Sequence, residues 1–86
     1  MADRRMMRKI GKKLRMFREV NGYTQKSIAD FLGISQPMYA QIEKGNRNIK
    51  LEHLEKLCNL YCVTLHDFHE HGVKWLRDRA WKVWEL

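Results

Sequence analysis

Proline is nearly absent from this chain: Pro37 stands alone among 86 residues, beside five glycines and two cysteines. So little proline leaves helices uninterrupted along most of the length. β-branched residues are scarce, and no stretch alternates convincingly between apolar and polar side chains, so the mark of a half-buried strand is missing. No apolar run approaches the roughly 20 residues that span a bilayer, and the opening MADRRMMRKIGKK lacks the hydrophobic centre of a signal peptide. Two cysteines without secretory context point to free thiols in a reducing cytoplasm. These absences predict an all-α, cytoplasmic protein with no membrane partner. An apolar content of 44% is ordinary for a folded domain, and the length suits one compact domain with a thin core.

Enzymatic chemistry has little to stand on. There is no nucleophile–base–acid arrangement, no phosphate-cradling glycine loop and no plausible pair of carboxylates. No enzyme activity and no cofactor are expected. Cys58, Cys62, His66, His69 and His71 raise the question of a metal, but 58, 62 and 66 would align only on one continuous helix, which Thr64 as a helix cap argues against. The expected reading is no metal, with Cys58 as a small core residue.

What is present is positive charge, +7 overall with a pI near 9.7. Residues 1–20 carry a net +6, residues 21–50 a net +2, residues 51–72 a net −3 and residues 73–86 a net +2. A basic first half makes an acidic partner plausible, nucleic acid first. The run Arg4, Arg5, Arg8, Lys9, Lys12 and Lys13 reads either as a DNA-contacting arm or as the solvated face of a first helix.

Apolar periodicity predicts the helices. Met7, Ile10, Leu14 and Phe17 make a stripe for a first helix, about residues 5–20, stopped by Asn21-Gly22. Thr24 caps TQKSIADFL, with Tyr23 and Ile28 placed as a hydrophobic staple, and Gly33 ends that helix. Ile34-Ser35 repeats the same start signal for a third helix, about residues 36–44, ended by Gly45. Pro37 marks where it begins, with either Ser35 or Gln36 as the cap. Leu51, Leu54, Leu57, Cys58 and Tyr61 predict a fourth helix. Val63, Leu65 and Phe68 belong to a short fifth one capped by Thr64, and GVKWLRDRAWKVWEL forms a sixth, amphipathic segment.

Two short helices joined through a glycine turn fit the helix-turn-helix arrangement. On the third helix, Tyr39 and Ile42 point one way, with Met38 at the margin; Pro37, Ala40, Gln41 and Lys44 fall on the opposite side. Gln36 and Gln41 offer a donor and an acceptor each, as bidentate reading of adenine in a major groove requires. An ordinary solvated face would look the same.

The stretch YTQKSIADFLGISQPMYAQIEKGNRNIKLEHLEKLCNLYCVTLHDF resembles the helix-turn-helix domain of the phage repressor/Cro-like family of transcription regulators, and the likeness covers residues 10–68. It rests on the Thr24-Gln25 start, Ala29, Gly33, apolar residues at 39 and 42, Glu43-Lys44-Gly45 and the capped fifth helix. The resemblance implies a five-helix repressor-like DNA-binding domain, placed over residues 1–72; the amphipathic helical extension over 73–86 is read from its own residues, and the family pattern says little about it. The resemblance implies base contacts from Gln36, Pro37, Ala40 and Gln41. Phosphate contacts would come from Gln25, Lys26, Lys44, Asn46, Arg47 and Asn48, and Arg18 with Glu43 would form a structural salt bridge. It also implies a bacterial or phage regulator associated with the nucleoid and reading double-stranded DNA. A homodimer on a two-fold symmetric operator is expected because paired reading helices one DNA turn apart make a weak single-site binder specific. The chain departs from the family at Cys62, where glycine is common, so the turn there is expected to be altered.

In the final segment Val73, Leu76, Ala80 and Val83 follow a heptad stripe, with Trp75, Trp81 and Trp84 mostly off it. Val73, Leu76, Ala80, Val83 and Trp84 are expected to form a dimer or partner interface, since tryptophan anchors interfaces. Closing the domain's own core is the competing use of the same residues. An antitoxin or other interaction module, whose tail binds a partner protein, is the alternative function.

Overall fold

The computed structural model describes residues 3–84, with side chains described up to residue 79. Its order is α1 (Arg4–Val20), α2 (Gln25–Leu32), α3 (Gln36–Lys44), α4 (Leu51–Leu60), α5 (Leu65–Glu70) and α6 (Val73–Trp84), with no strand among the described residues. Each start has a local cause. Asp3 caps α1 by accepting from the Met6 N–H at 2.8 Å. Thr24 and Ser27 exchange side-chain and backbone bonds at the head of α2. Ser35 caps α3 by accepting from Met38 N–H at 3.2 Å, which settles the register: Pro37 is the second helical residue, where its missing N–H is not needed.

The stripes named in the sequence converge on one core. Leu14, Phe17, Ile28, Tyr39, Leu57 and Phe68 are almost fully enclosed, and Phe17 stacks on Tyr61 at 5.0 Å between ring centres. Helix α1 runs through the middle. One side meets α3, where Gly11 lets the backbones touch; the other meets α6.

Three expectations are corrected. Lys13 does not belong to a solvated or DNA-facing run. It is 8% exposed, and its Nζ donates to the Phe68 carbonyl at 2.6 Å, where the last turn of α5 leaves carbonyls unpaired. Burial, with neighbouring Lys9, lowers its pKa below the usual lysine value.

Leu76, expected at an interface, packs inside the domain. At 1% exposure it completes this chain's own core, and Val73 packs half-buried beside it. Val73 and Leu76 turn to the core because α6 packs on α1, where the domain leaves apolar surface. Ala80, Val83 and Trp84 lie outside the described side chains. Trp75 is half-buried, with the His71 ring stacked 3.5 Å away and the Arg79 guanidinium 4.4 Å from its ring centre.

The turn after α4 keeps its shape despite Cys62. This residue takes φ 57, the left-handed region. Its N–H donates to Asn59 and that of Val63 to Cys58. Gly22, Gly33 and Gly45 close the first three helices with the same pair of bonds. The backbone conformation is set by the helix end, and cysteine bears the strain that glycine avoids.

Candidate nucleic-acid interface

The interface is built on α2 and α3. Gly33, at φ 73, reverses the chain in three residues, so α3 begins directly against α2. Tyr39, Ile42 and Glu43 anchor its inner side. Its outer side carries Gln36, Pro37, Gln41 and Lys44, all exposed, with Ala40 half-buried between them. The face is uncharged until its last residue and holds two amides.

Beneath it lies a polar clamp. Arg18 Nε donates to Glu43 Oε2 at 2.7 Å and Arg18 Nη2 to Glu43 Oε1 at 3.1 Å, with the carboxylate side chain 3% exposed. The hydrogen bond to Glu43 raises the Arg18 pKa further, against the opposing effect of burial. Arg18 Nη1 also reaches the Tyr23 carbonyl at 3.0 Å, just before α2. Gln25 Nε2 donates to Glu43 Oε1 at 3.1 Å. One carboxylate thus ties α1, the head of α2 and α3 together, and fixes how far α3 projects. Two-point pairing of this kind holds direction as well as distance.

Gln25 therefore sits half-buried with one amide hydrogen engaged inside the fold; its Nε2 has a second hydrogen. Lys26 is exposed and pairs with Asp30 at 3.0 Å along α2. Such a surface pair is weakly held and exchanges readily. Lys44, Asn46, Arg47 and Asn48 are exposed at the end of α3 and in the following loop. Arg4, 42 residues away in sequence, arrives beside that loop, its Nη2 donating to Asn46 Oδ1 at 3.1 Å. Nothing in the local sequence announces this contact, because it depends on how α1 lies across α3.

Among the described residues, no three His, Cys, Asp or Glu side chains gather as a metal site requires. Cys58 is buried in the core, and Cys62 is exposed at its turn. No described helix is long and apolar enough to cross a membrane.

Comparison with known proteins gives the same picture. The helix-turn-helix family model matches residues 14–68. An HTH-type transcriptional regulator, DdrOP3, of Deinococcus deserti is 37% identical over 72 residues, covering 84% of this chain and 55% of that protein. A SPbeta prophage-derived uncharacterized HTH-type transcriptional regulator of Bacillus subtilis, YonR, is 39% identical over 54 residues, or 63% of this chain and 50% of the relative. The uncharacterized HTH-type transcriptional regulator YazB of the same organism is 49% identical over 37 residues, 43% of this chain and 54% of its own length. The chain spans about half the length of the curated relatives it matches.

Proposed function

The chain belongs to the phage repressor/Cro-like helix-turn-helix family of transcription regulators, and from that premise we propose that it binds DNA sequence-specifically with α3 in the major groove. The observation that carries the reading is the two-sidedness of α3. Its inner residues and the Arg18–Glu43–Gln25 clamp hold it rigidly, while Gln36, Pro37 and Gln41 are exposed on the outside. A reading element needs both properties, because base discrimination requires donors and acceptors held in place.

Gln36 and Gln41 take the polar part of the readout, and Pro37 and Ala40 the apolar part, as against a thymine methyl. Lys26, Lys44, Arg47 and Asn48 hold phosphates, and Gln25 adds its second amide hydrogen at the head of α2. These contacts make binding strongly salt-dependent.

A homodimer on a two-fold symmetric operator is the working assembly. One short reading helix covers few base pairs, and two of them one DNA turn apart multiply the specificity. The setting is the bacterial cytoplasm, for a regulator encoded by the bacterium or by its phage. The tail-driven alternative, an antitoxin-like module, loses ground because Leu76 is used inside this domain.

Selection of duplexes from a random library tests the proposal. The expected product is a motif with two-fold symmetry, and Gln36→Ala should lose about 1–3 kcal/mol of discrimination at particular base pairs. A variant that bound every operator variant as the parent does would remove Gln36 from the reading face.

A further inference from the structure

Gln41 does not stand on the outer face as a free amide. Arg4 Nη2 donates to Asn46 Oδ1 at 3.1 Å, and Asn46 Nδ2 donates to Gln41 Oε1 at 3.2 Å. The polarity of this chain is dictated by its first member. A guanidinium carries only donors, so the Asn46 atom it meets is the carbonyl oxygen. The end of Asn46 directed at Gln41 is then its NH2 group, again a donor. Gln41 must meet it with oxygen. The orientation of an amide is ordinarily ambiguous from heavy-atom positions; here a residue that cannot accept a hydrogen bond fixes both amides in turn.

The three side chains are exposed and come from the first turn of α1, the end of α3 and the loop beyond it. None of them contributes to the core, so packing gives no account of the relay. Its consequence is at the reading face: the Gln41 NH2 group, with both hydrogens, is the end turned away from Asn46.

We infer that Arg4 and Asn46 are positioning residues for base recognition, orienting Gln41 so that it presents donors and selects a base-edge acceptor, guanine above all. The inference rests on α3 being the recognition helix. An unconstrained glutamine suits adenine, accepting from N6 and donating to N7 in one plane. At Gln41 one of the oxygen's two lone pairs is held by Asn46, so presenting both amide atoms to adenine in one plane requires turning the amide away from that bond. Guanine, whose major-groove edge offers N7 and O6 as acceptors, takes a donor without disturbing the relay. The adenine preference expected for a bare glutamine thus applies to Gln36 and not to Gln41.

The test is duplex selection from a random library with the parent, Gln41→Ala, Asn46→Ala and Asn46→Asp. Gln41→Ala identifies the base pair read by this residue, by relaxing it alone. The parent is expected to prefer guanine there, and Asn46→Ala to weaken that preference roughly tenfold with the other positions intact. Asn46→Asp is the sharper variant. A carboxylate accepts from Arg4 and from the Gln41 NH2 alike, so the glutamine turns its oxygen outward and the preference moves to a base presenting a donor, cytosine or adenine. The added negative charge lowers affinity at every sequence equally, so the readout is the base chosen and not the affinity. The motif retained at the remaining pairs is the folding control. Should Asn46→Asp recover no duplex at all, Asn46→Ala decides alone. Asn46 variants that keep the parent's choice at that pair, or a Gln41→Ala that relaxes no position, would overturn the positioning role. A parent that selects no motif sinks the recognition-helix reading itself and the positioning role with it, a failure visible before any variant is made.

Discussion

Gly11 lies so close under Ile42 that a Cβ placed on the glycine would stand 2.7 Å from the Ile42 carbonyl oxygen. That oxygen belongs to backbone and cannot swing aside as a side chain would, so α1 and α3 would have to part. Alanine is favoured over glycine inside a helix by about 1 kcal/mol, whereas overpacking costs about 1–3 kcal/mol. Overpacking wins at this crossing. Gly11→Ala is expected to lower the unfolding free energy by up to about 2 kcal/mol, measured by urea denaturation. An unchanged or higher midpoint would mean that the two helices separate freely.

Lys13 ties α5 to α1 through the Phe68 carbonyl, with its ammonium 5.4 Å from the centre of the Phe68 ring. Lys13→Met keeps the apolar stem and removes the donor. A hydrogen bond from a charged group contributes about 1.5–3 kcal/mol, and a loss of that size is expected in denaturation. Amide exchange should rise first in residues 65–70, because α5 is only 6 residues long and cannot hold itself. Uniform exchange across the domain would show that Lys13 does not act through α5.

Cys62 occupies a left-handed position that costs an L-residue about 1–2 kcal/mol. Glycine removes that strain but adds freedom to the unfolded chain, a counter-effect of about 0.5–1 kcal/mol. Cys62→Gly should therefore raise stability by up to about 1 kcal/mol, and Cys62→Val should lower it. Melting curves that ranked valine above glycine would contradict the assignment of strain.

Alkaline pH should weaken the fold. Burial pushes the Cys58 thiol up from 9.0 to about 11, and pushes the Tyr39 and Tyr61 phenols well above their usual 10.0, with the Glu43 carboxylate adding to the rise at both tyrosines. The unfolded chain releases these three protons at lower pH than the folded one does. Their contribution to stability is full below about pH 9 and is lost as the pH climbs toward the folded values. Lys13 acts with the opposite sign, since its folded pKa lies below 10.5, but one base does not offset three acids. Denaturation midpoints should fall between pH 9 and 11; midpoints that rose over that window would refute this balance. The same burial makes the thiols unequal. At pH 8 a thiol reagent should label exposed Cys62 quickly and Cys58 only as the domain opens.

Much of the fold was legible because its signals are local. Thr24, Ser35 and Thr64 cap helices with bonds three residues long, and Gly33 and Gly45 close them with bonds of similar reach. Pro37 restricts only its neighbours, so it marked a helix start from the sequence alone. The outer face of α3 followed from helical spacing in the same way. Lys13 was misread because spacing cannot distinguish a lysine beside water from one beside the frayed carbonyls of a helix 55 residues away.

The sequence by itself determined six helices, the ends that caps and glycine turns mark and the amide-bearing face of α3, since periodicity, caps and turns act within a few residues. Tertiary structure decided the rest. It chose the domain's own core over an interface for Leu76, kept a glycine-like turn at Cys62, and placed Arg4 at Asn46 to set which end of Gln41 faces outward. Each of these depends on where two helices cross, and a crossing is fixed by packing summed over the whole core.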